Sequence, residues 1–151
     1  MKSRRAAKRK PRQSLIVDAA TSARLSEIRQ HGTTPELEVR KILRSMSIAY
    51  RTSNRDLPGS PDLANRSKKW AIFVHGCFWH RHEQCHRSTT PKRNRTFWLE
   101  KFNANVARDK RAIARLQSLG YRVLTLWECD IELRQAKVAK ALRQMLPKRA
   151  S

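Results

Sequence analysis

The chain has 151 residues, enough for one domain with a substantial core, and 39% of them are apolar. Lysine and arginine number 34 against 12 aspartates and glutamates, and the net charge of +22 argues against an ordinary enzyme for neutral substrates. This surplus favours a polyanionic partner, because basic side chains displace counterions from phosphates; a membrane-surface or ribosomal protein is the plainer alternative.

Hydropathy and cysteine count predict the compartment. No apolar run approaches the roughly 18 residues of a membrane-spanning helix, and the charged N-terminus lacks the apolar segment of a secretory signal. Three cysteines would leave one over in a disulfide framework, so metal ligation in a reducing compartment fits better. We therefore expect a cytoplasmic protein that does not associate with membranes.

The chain divides into a basic arm at residues 1–18 and a single domain at 19–151. Residues 1–12 hold seven basic residues and no acidic one, which predicts a disordered segment. The arm is either a solvated tail or a phosphate-binding extension. A short helix is expected at 19–31, and it would contain Leu25.

A second helix is predicted with Thr34 as its N-cap, Pro35 at its first position and Glu36 in its first turn. The spacing of Glu36, Val39 and Leu43 places them on one face, so this glutamate lies on or beside the apolar stripe. The simplest interpretation is that Glu36 interacts favourably with the helix dipole.

Two strands follow. Pro58 and Gly59 predict a turn, after which Asp62 enters a short strand, and residues 69–75 form a buried strand that ends at His75. Strand, turn and strand therefore place Asp62 and His75 on one sheet. Residues 76–96 are expected to be an irregular, polar loop.

A long helix is predicted from Arg95 to Leu119, ended by Gly120. Asp109 falls on its apolar face, and Asn105 lies one turn earlier. A carboxylate there is costly unless another group pairs with it. A central strand at 121–128 and a last basic helix at about 130–146 complete the prediction.

The loop and the last strand offer a complete ligand set for zinc. Three thiolates and one imidazole make a closed tetrahedral Zn²⁺ site, and the candidates are Cys77, His82, Cys85 and Cys129. On spacing alone, His80 or His86 could replace His82. The alternative is three unrelated buried thiols, which the clustering of histidine and cysteine disfavours.

Catalytic side chains are predicted beside this loop. Asp62 could hold Mg²⁺, which polarises a phosphate and activates water. His75 and His80 lie close in sequence, and a histidine near the phosphate can accept a proton or stabilise charge. Both histidines could instead be structural.

Three aromatic residues accompany the loop. Phe78 and Trp79 lie between the candidate zinc ligands, and Trp98 opens the long helix. In a loop braced by metal, adjacent aromatics can wedge between base pairs. A small core under the loop is the alternative.

Four motifs in order carry a family resemblance: LPGSPD, IFVHGCFWHRH, TFWLEKFNANVARDKR and GYRVLTLWEC. Over about residues 20–130 the chain resembles the very short patch repair endonucleases, the Vsr family of DNA mismatch endonucleases. The resemblance implies an α/β, restriction-endonuclease-like fold with a central mixed sheet flanked by helices and a structural zinc site.

The resemblance also implies roles for residues at matching positions. Asp62 resembles the Mg²⁺-binding aspartate, and Val74 the residue whose backbone carbonyl is the second protein ligand, where well-known members have threonine. His80 resembles the catalytic histidine that activates water, and His75 and Asp109 resemble its supporting catalytic residues. Glu36 resembles a glutamate that holds a metal-bound water, which replaces the helix-dipole interpretation.

The remaining implied positions concern zinc and DNA. Cys77, His82, Cys85 and Cys129 resemble the structural zinc ligands, although two residues separate His82 from Cys85 where the family usually has one. The DNA-binding set comprises Phe78, Trp79 and Trp98 as a wedge in the major groove, Leu25 on the minor-groove side, and Asn105.

The implied function is Mg²⁺-dependent nicking of double-stranded DNA 5′ of the T in T:G mismatches, which arise when 5-methylcytosine deaminates. The implied setting is the bacterial cytoplasm and nucleoid, with a monomeric enzyme and mismatch-repair proteins as further candidate partners. Two alternatives stay open: a zinc-stabilised DNA-binding module without catalysis, and a related nuclease with a different DNA substrate.

Overall fold

The computed structural model describes residues 32–146, so the basic arm and Leu25 lie outside the described residues. Three strands and five helices follow in the order α1 (Thr34–Ser45), β1 (Leu63–Asn65), β2 (Trp70–His75), α2 (Cys77–His80), α3 (Arg95–Ser118), β3 (Arg122–Trp127), α4 (Glu128–Leu133) and α5 (Gln135–Met145). No helix in this part of the chain is both long and apolar enough to cross a membrane.

The strands form a sheet of order β1-β2-β3. It is mixed, as the family resemblance implied. β1 pairs antiparallel with β2, with Leu63 opposite Ile72. β2 and β3 are parallel and are joined through α3, in register from Trp70 and Arg122 to His75 and Trp127. The beginning of β1 therefore meets the ends of β2 and β3 at one edge of the sheet.

Both faces of the sheet are covered, since successive residues of β2 point to opposite sides. One core contains Trp70 and Ile72 with residues of α1, α4 and α5. The other contains Ala71 and Phe73 packed on α3. A strand buried on both faces reads as a continuous apolar run, which is why β2 was recognisable in the sequence.

The start of α1 differs by one residue from the prediction. The N-cap is Thr33 rather than Thr34, and Pro35 still lies in the first turn, where its missing N–H costs nothing. Glu36, Val39 and Leu43 are all buried on one face, as their spacing predicted.

The turn before β1 is fixed by close packing on α3. Gly59 has φ +72°, and a Cβ there would lie 2.5 Å from the Cβ of Ala112. The buried side chain of Asn54 donates a hydrogen bond to the carbonyl of Pro61 at 3.1 Å. These contacts hold the chain immediately before Asp62.

Two local predictions are corrected. The loop at 76–96 contains a one-turn helix, α2, directly after β2. The last helix is two helices, because Arg134 leaves helical geometry at φ −138° and ψ 51°. The bend lets Ile131 and Val138 pack in the same core, while buried Asp130 accepts hydrogen bonds from Arg134 and Lys137 across it.

Candidate active site

A cleft of about 740 Å³ opens at the edge where β2 and β3 end. Its charged and titratable lining residues come from five elements or their flanks: Asp62, His75, His80, Lys101, Arg108, Asp109 and Glu128. Trp79 and Asn105 also line it. The structure therefore brings together most of the catalytic and DNA-binding residues that the sequence suggested.

Asp62 is tied to the end of β2. Its Oδ2 accepts a hydrogen bond of 2.7 Å from the backbone N–H of Val74. The N–H and C=O of one residue in an extended strand point to the same side, so the Val74 carbonyl is directed toward the strand edge beside Asp62. A carboxylate and a carbonyl at one edge are oxygen ligands of the type Mg²⁺ prefers.

His80 and Asp109 form a pair between α2 and α3. The Nδ1 of His80 lies 2.6 Å from Oδ2 of Asp109. Burial by itself raises the pKa of Asp109, but the hydrogen bond and charge of His80 bring this pKa below its usual value. An ionised carboxylate only accepts hydrogen bonds, so Nδ1 carries the proton and Nε2 is left as a proton acceptor.

His75 packs against the His80 ring of this pair. Its ring stacks on the ring of His80 with centroids 3.8 Å apart and planes 6° from parallel. Burial, together with the neighbouring charge of His80, lowers the pKa of His75 to about 4, against the opposing influence of Asp109. His75 is therefore neutral at physiological pH and can lie against His80 even when that ring gains a proton.

His75, His80 and Asp109 also have ligand atoms within 4.8 Å of one another, as a metal site would require. Imidazole binds metal through lone pairs that lie in the ring plane. In two parallel stacked rings these lone pairs run side by side and cannot converge on one ion. The arrangement therefore favours proton transfer over chelation by this trio.

The buried, neutral state of His75 predicts acid sensitivity. Its pKa is about 4 in the folded chain, against the usual 6.5 of a solvent-exposed histidine, so the unfolded chain binds more protons between these values. The free energy of unfolding should therefore fall as pH drops from about 6.5 to 4, by up to about 3 kcal/mol from this residue. Urea unfolding of the unchanged chain and of His75→Gln, at matched pH values, measures the difference.

The control for this prediction is His86→Ala, since His86 is exposed. Metal ligands also protonate in acid, but that contribution is common to all three proteins. The His75→Gln chain should show a shallower pH dependence than both others. Equal slopes in all three would contradict a neutral, buried His75.

Glu36 lies apart from the residues that line the cleft. It is 3% exposed, accepts a hydrogen bond from the backbone N–H of Gly32 at 2.9 Å, and pairs with Arg40 one turn later. Its neighbours Thr33 and Pro35 do line the cleft. These contacts account for a glutamate on the apolar stripe, and a role with metal-bound water stays a prediction.

The four proposed zinc ligands meet beside the cleft. His82 Nδ1 lies 3.5 Å from Cys77 Sγ and 3.3 Å from Cys129 Sγ, and the sulfurs of Cys85 and Cys129 are 4.0 Å apart. Tetrahedral zinc, with bonds of about 2.3 Å to sulfur and 2.0 Å to nitrogen, places its ligand atoms roughly 3.5–3.8 Å apart. The donor set and spacing fit a zinc ion.

The conformation of the loop at Arg81 determines which histidine lies beside the cysteines. Arg81 adopts a left-handed conformation at φ 56°, and its guanidinium binds the carbonyls of Ser88 and Thr89. It also lies 4.1 Å over the ring of Phe102. The following residue, His82, is thereby turned to the cysteines, and among the described residues the cluster includes neither His80 nor His86.

The aromatic residues form one connected group. The rings of Phe78 and Trp79 are 5.0 Å apart, and that of Trp79 is 6.0 Å from Trp98. Trp98 is only 8% exposed, whereas Phe78 and Trp79 are half-buried. Asn105 donates a hydrogen bond to the carbonyl of Trp79 at 3.2 Å, which ties α3 to this turn.

Five residues of the site were missed from the sequence, and two of them, Lys101 and Arg108 of α3, line the cleft. The other three lie around the metal cluster. Arg81 shapes the loop, Trp127 lies between His75 and His82, and Glu128 accepts a hydrogen bond from the Cys77 N–H at 3.0 Å. The position of Trp127 and Glu128 directly before a metal ligand was the available signal. No local pattern marks Arg81.

The sequence comparisons find similarity to DNA mismatch endonucleases and nicking enzymes. The family model described as DNA mismatch endonuclease Vsr matches residues 15–87. DNA mismatch endonuclease Vsr of Escherichia coli (strain K12) is 39% identical over 132 residues, which are 87% of this chain and 84% of that protein. Type II nicking enzyme V.XorIIP of Xanthomonas oryzae pv. oryzae is 40% identical over 107 residues, 71% of this chain and 78% of that enzyme.

Among solved structures, the catalytic domain of homing endonuclease I-Bth0305I is similar to this chain with a TM-score of 0.53 and 29% sequence identity. The match covers 76% of this chain and 94% of that domain.

Proposed function

Because this chain belongs to the DNA mismatch endonuclease Vsr family and is thus a DNA endonuclease, we propose that it nicks one strand of duplex DNA 5′ of the T in a T:G mismatch. The observation that supports the proposal is that one helical turn, α2, carries both the candidate catalytic histidine and a residue of the candidate wedge. α2 presents His80 to Asp109 and Trp79 to the same cleft.

The chemistry is hydrolysis of a phosphodiester. Water attacks phosphorus, its proton passes to Nε2 of His80, and the bond to the leaving oxygen breaks as that oxygen gains a proton from solvent water. Asp109 holds the ring and compensates the positive charge that His80 acquires. His75 stays neutral and keeps the orientation of the ring.

Asp62 and the carbonyl of Val74 are the residues that would hold Mg²⁺. A bound Mg²⁺ ion polarises the phosphate and lowers the pKa of water. Lys101 and Arg108, both on α3, also line the cleft and bring positive charge to it, where it can hold the phosphodiester. A cleft lined by both a carboxylate and cations can accommodate Mg²⁺ together with an anionic backbone.

Mismatch selection is assigned to the aromatic group. A T:G pair stacks poorly, so separating it from its neighbours costs less than in matched DNA, where unstacking costs on the order of a few kcal/mol per step. Phe78 and Trp79 both pack against the buried Trp98, which restricts the movement of their rings. A rigid wedge converts the difference in unstacking cost into preference.

Trp79→Ala should therefore reduce the ratio of nicking rates on T:G and T:A duplexes, with little change in general DNA affinity. The measurement is single-turnover nicking on both duplexes beside equilibrium binding. Phe97→Ala is the matched control, because Phe97 contacts Trp98 but is not among the residues that line the cleft. An unchanged ratio in Trp79→Ala would mean that these aromatics are only core.

Removal of residues 1–12 is the complementary control. Those basic residues are expected to attract phosphates irrespective of base sequence, so the truncated chain should bind more weakly and with a shallower salt dependence while it keeps the T:G preference.

A second candidate is nicking at a different DNA structure or sequence. It is favoured by the similarity to a Type II nicking enzyme and to a homing endonuclease domain. The same cleft chemistry would serve either substrate, so the two candidates differ only in the duplex that is cut fastest. In both cases we place the protein in the bacterial cytoplasm, as a monomer that acts on cellular DNA.

A further inference from the structure

We propose that Trp127 is a positioning residue that transmits orientation from the metal cluster (Cys77, His82, Cys85 and Cys129) to the catalytic histidines. The proposal rests on the proposed function in one respect, because it takes His80 as the proton acceptor. Trp127 ends β3 and is half-buried between the two sites.

The contact on the metal side is a full stack. The rings of His82 and Trp127 have centroids 4.3 Å apart and planes only 7° from parallel. A metal held through Nδ1 would fix the plane of the His82 ring, because the coordinating lone pair lies in that plane. The indole lying on this ring then has its own plane fixed by the metal cluster.

On the catalytic side, Trp127 makes an edge-to-face contact with His75. The ring of His75 meets Trp127 at 5.4 Å and 71°, and its face stacks on His80. His80 in turn bonds Asp109. One continuous series of ring contacts thus runs from a metal ligand through Trp127 to the proton acceptor.

The residues after Trp127 strengthen the same connection. Glu128 accepts a hydrogen bond from the backbone N–H of Cys77, at the start of the helix that carries His80. Cys129 belongs to the metal cluster. Trp127 at the end of β3 and the first two residues of α4 therefore touch the metal cluster, the base of α2 and the histidine stack.

Orientation matters because proton transfer needs Nε2 of His80 aimed at the attacking water. A displacement of about 1 Å can cost 10²-fold in rate. Without the indole, His75 would lose one of its three ring contacts, keeping those with Phe73 and His80, and the His80 ring could tilt about its bond to Asp109. His82 would likewise lose the surface that holds its ring for coordination.

The test compares Trp127→Leu, Trp127→Phe and the control Leu126→Ala. Leu126 is the neighbouring residue on β3 and packs into the core of the opposite face, so its truncation weakens the fold without touching the rings. Two quantities are measured below the unfolding temperature: the single-turnover nicking rate and the affinity for Zn²⁺ by competition with a chromophoric chelator.

Trp127→Leu should nick about 10- to 100-fold more slowly and hold Zn²⁺ about 10- to 100-fold less tightly. Trp127→Phe should restore most of both, and Leu126→Ala should retain both. A wild-type rate in Trp127→Leu, equal slowing in Leu126→Ala, or slow nicking with unchanged Zn²⁺ affinity would each overturn the proposal. If the unchanged chain nicks no offered duplex, the proposed substrate fails, and the Zn²⁺ measurement still decides the role of Trp127.

Discussion

Asp62→Asn is expected to abolish Mg²⁺-dependent nicking while leaving DNA binding in place. The asparagine oxygen can still accept the hydrogen bond from the Val74 N–H, so the strand edge is kept and only the negative charge is lost. Metal-assisted stabilisation of phosphoryl charge is worth several kcal/mol, so the rate should fall by about 10³-fold or more. Single-turnover nicking across a Mg²⁺ titration, beside a binding assay, measures both quantities.

Asp56→Asn is the matched control for this experiment. Asp56 is exposed and pairs with Arg66 on the surface, so its loss removes the same charge without reaching the cleft. It should nick at the rate of the unchanged chain. Full activity of Asp62→Asn in Mg²⁺ would remove Asp62 from the metal site, and equal losses in both variants would point to a general effect of net charge.

Removing the proposed structural metal should have the second large effect, on folding itself. Cys129 is the only member of the metal cluster outside residues 77–85. Cys129→Ser therefore removes the metal-mediated connection between the loop and the segment that follows β3. Binding of structural zinc contributes about 10–16 kcal/mol in small zinc domains, against a usual domain stability of about 5–15 kcal/mol. We expect a large drop in unfolding temperature, one zinc per unchanged chain, and less than one in the variant.

The protonation of the thiols gives a reason to expect a cation at this cluster. Burial raises the pKa of Cys77 to about 12, so this thiol stays protonated at neutral pH unless a positive ion compensates the charge. Zinc binding should therefore release protons and tighten as pH rises. A zinc-selective chelator should reproduce the effect of Cys129→Ser in the unchanged chain.

Two of the three histidines in the loop, His82 and His86, supply the control. His82→Ala should destabilise severely and His86→Ala only slightly, because His82 lies within 3.5 Å of two cysteine sulfurs and His86 is exposed. The reverse result would assign the ligand to His86. Purified, active protein without zinc would refute a structural metal.

Much of the fold was predictable from the sequence because it depends on local patterns. The apolar run of β2, the proline at the start of α1 and the glycine after α3 each act within a few residues. Motif order supplied the family. The break at Arg134 was not predictable, because a helical pattern continues through it and only packing of both halves in one core decides the bend.

The features of the site likewise divide into those that the sequence determines and those that depend on tertiary packing. Sequence by itself determined which side chains were available: a carboxylate after a turn, clustered histidines and cysteines, and an aspartate on an apolar stripe. Only the tertiary structure decided that Asp109 pairs with His80, 29 positions away, that His82 rather than its neighbours reaches the cysteines, and that Trp127 lies between the two sites. The reason is physical: residue type and spacing fix which groups share a face, whereas contacts between elements depend on how whole faces pack.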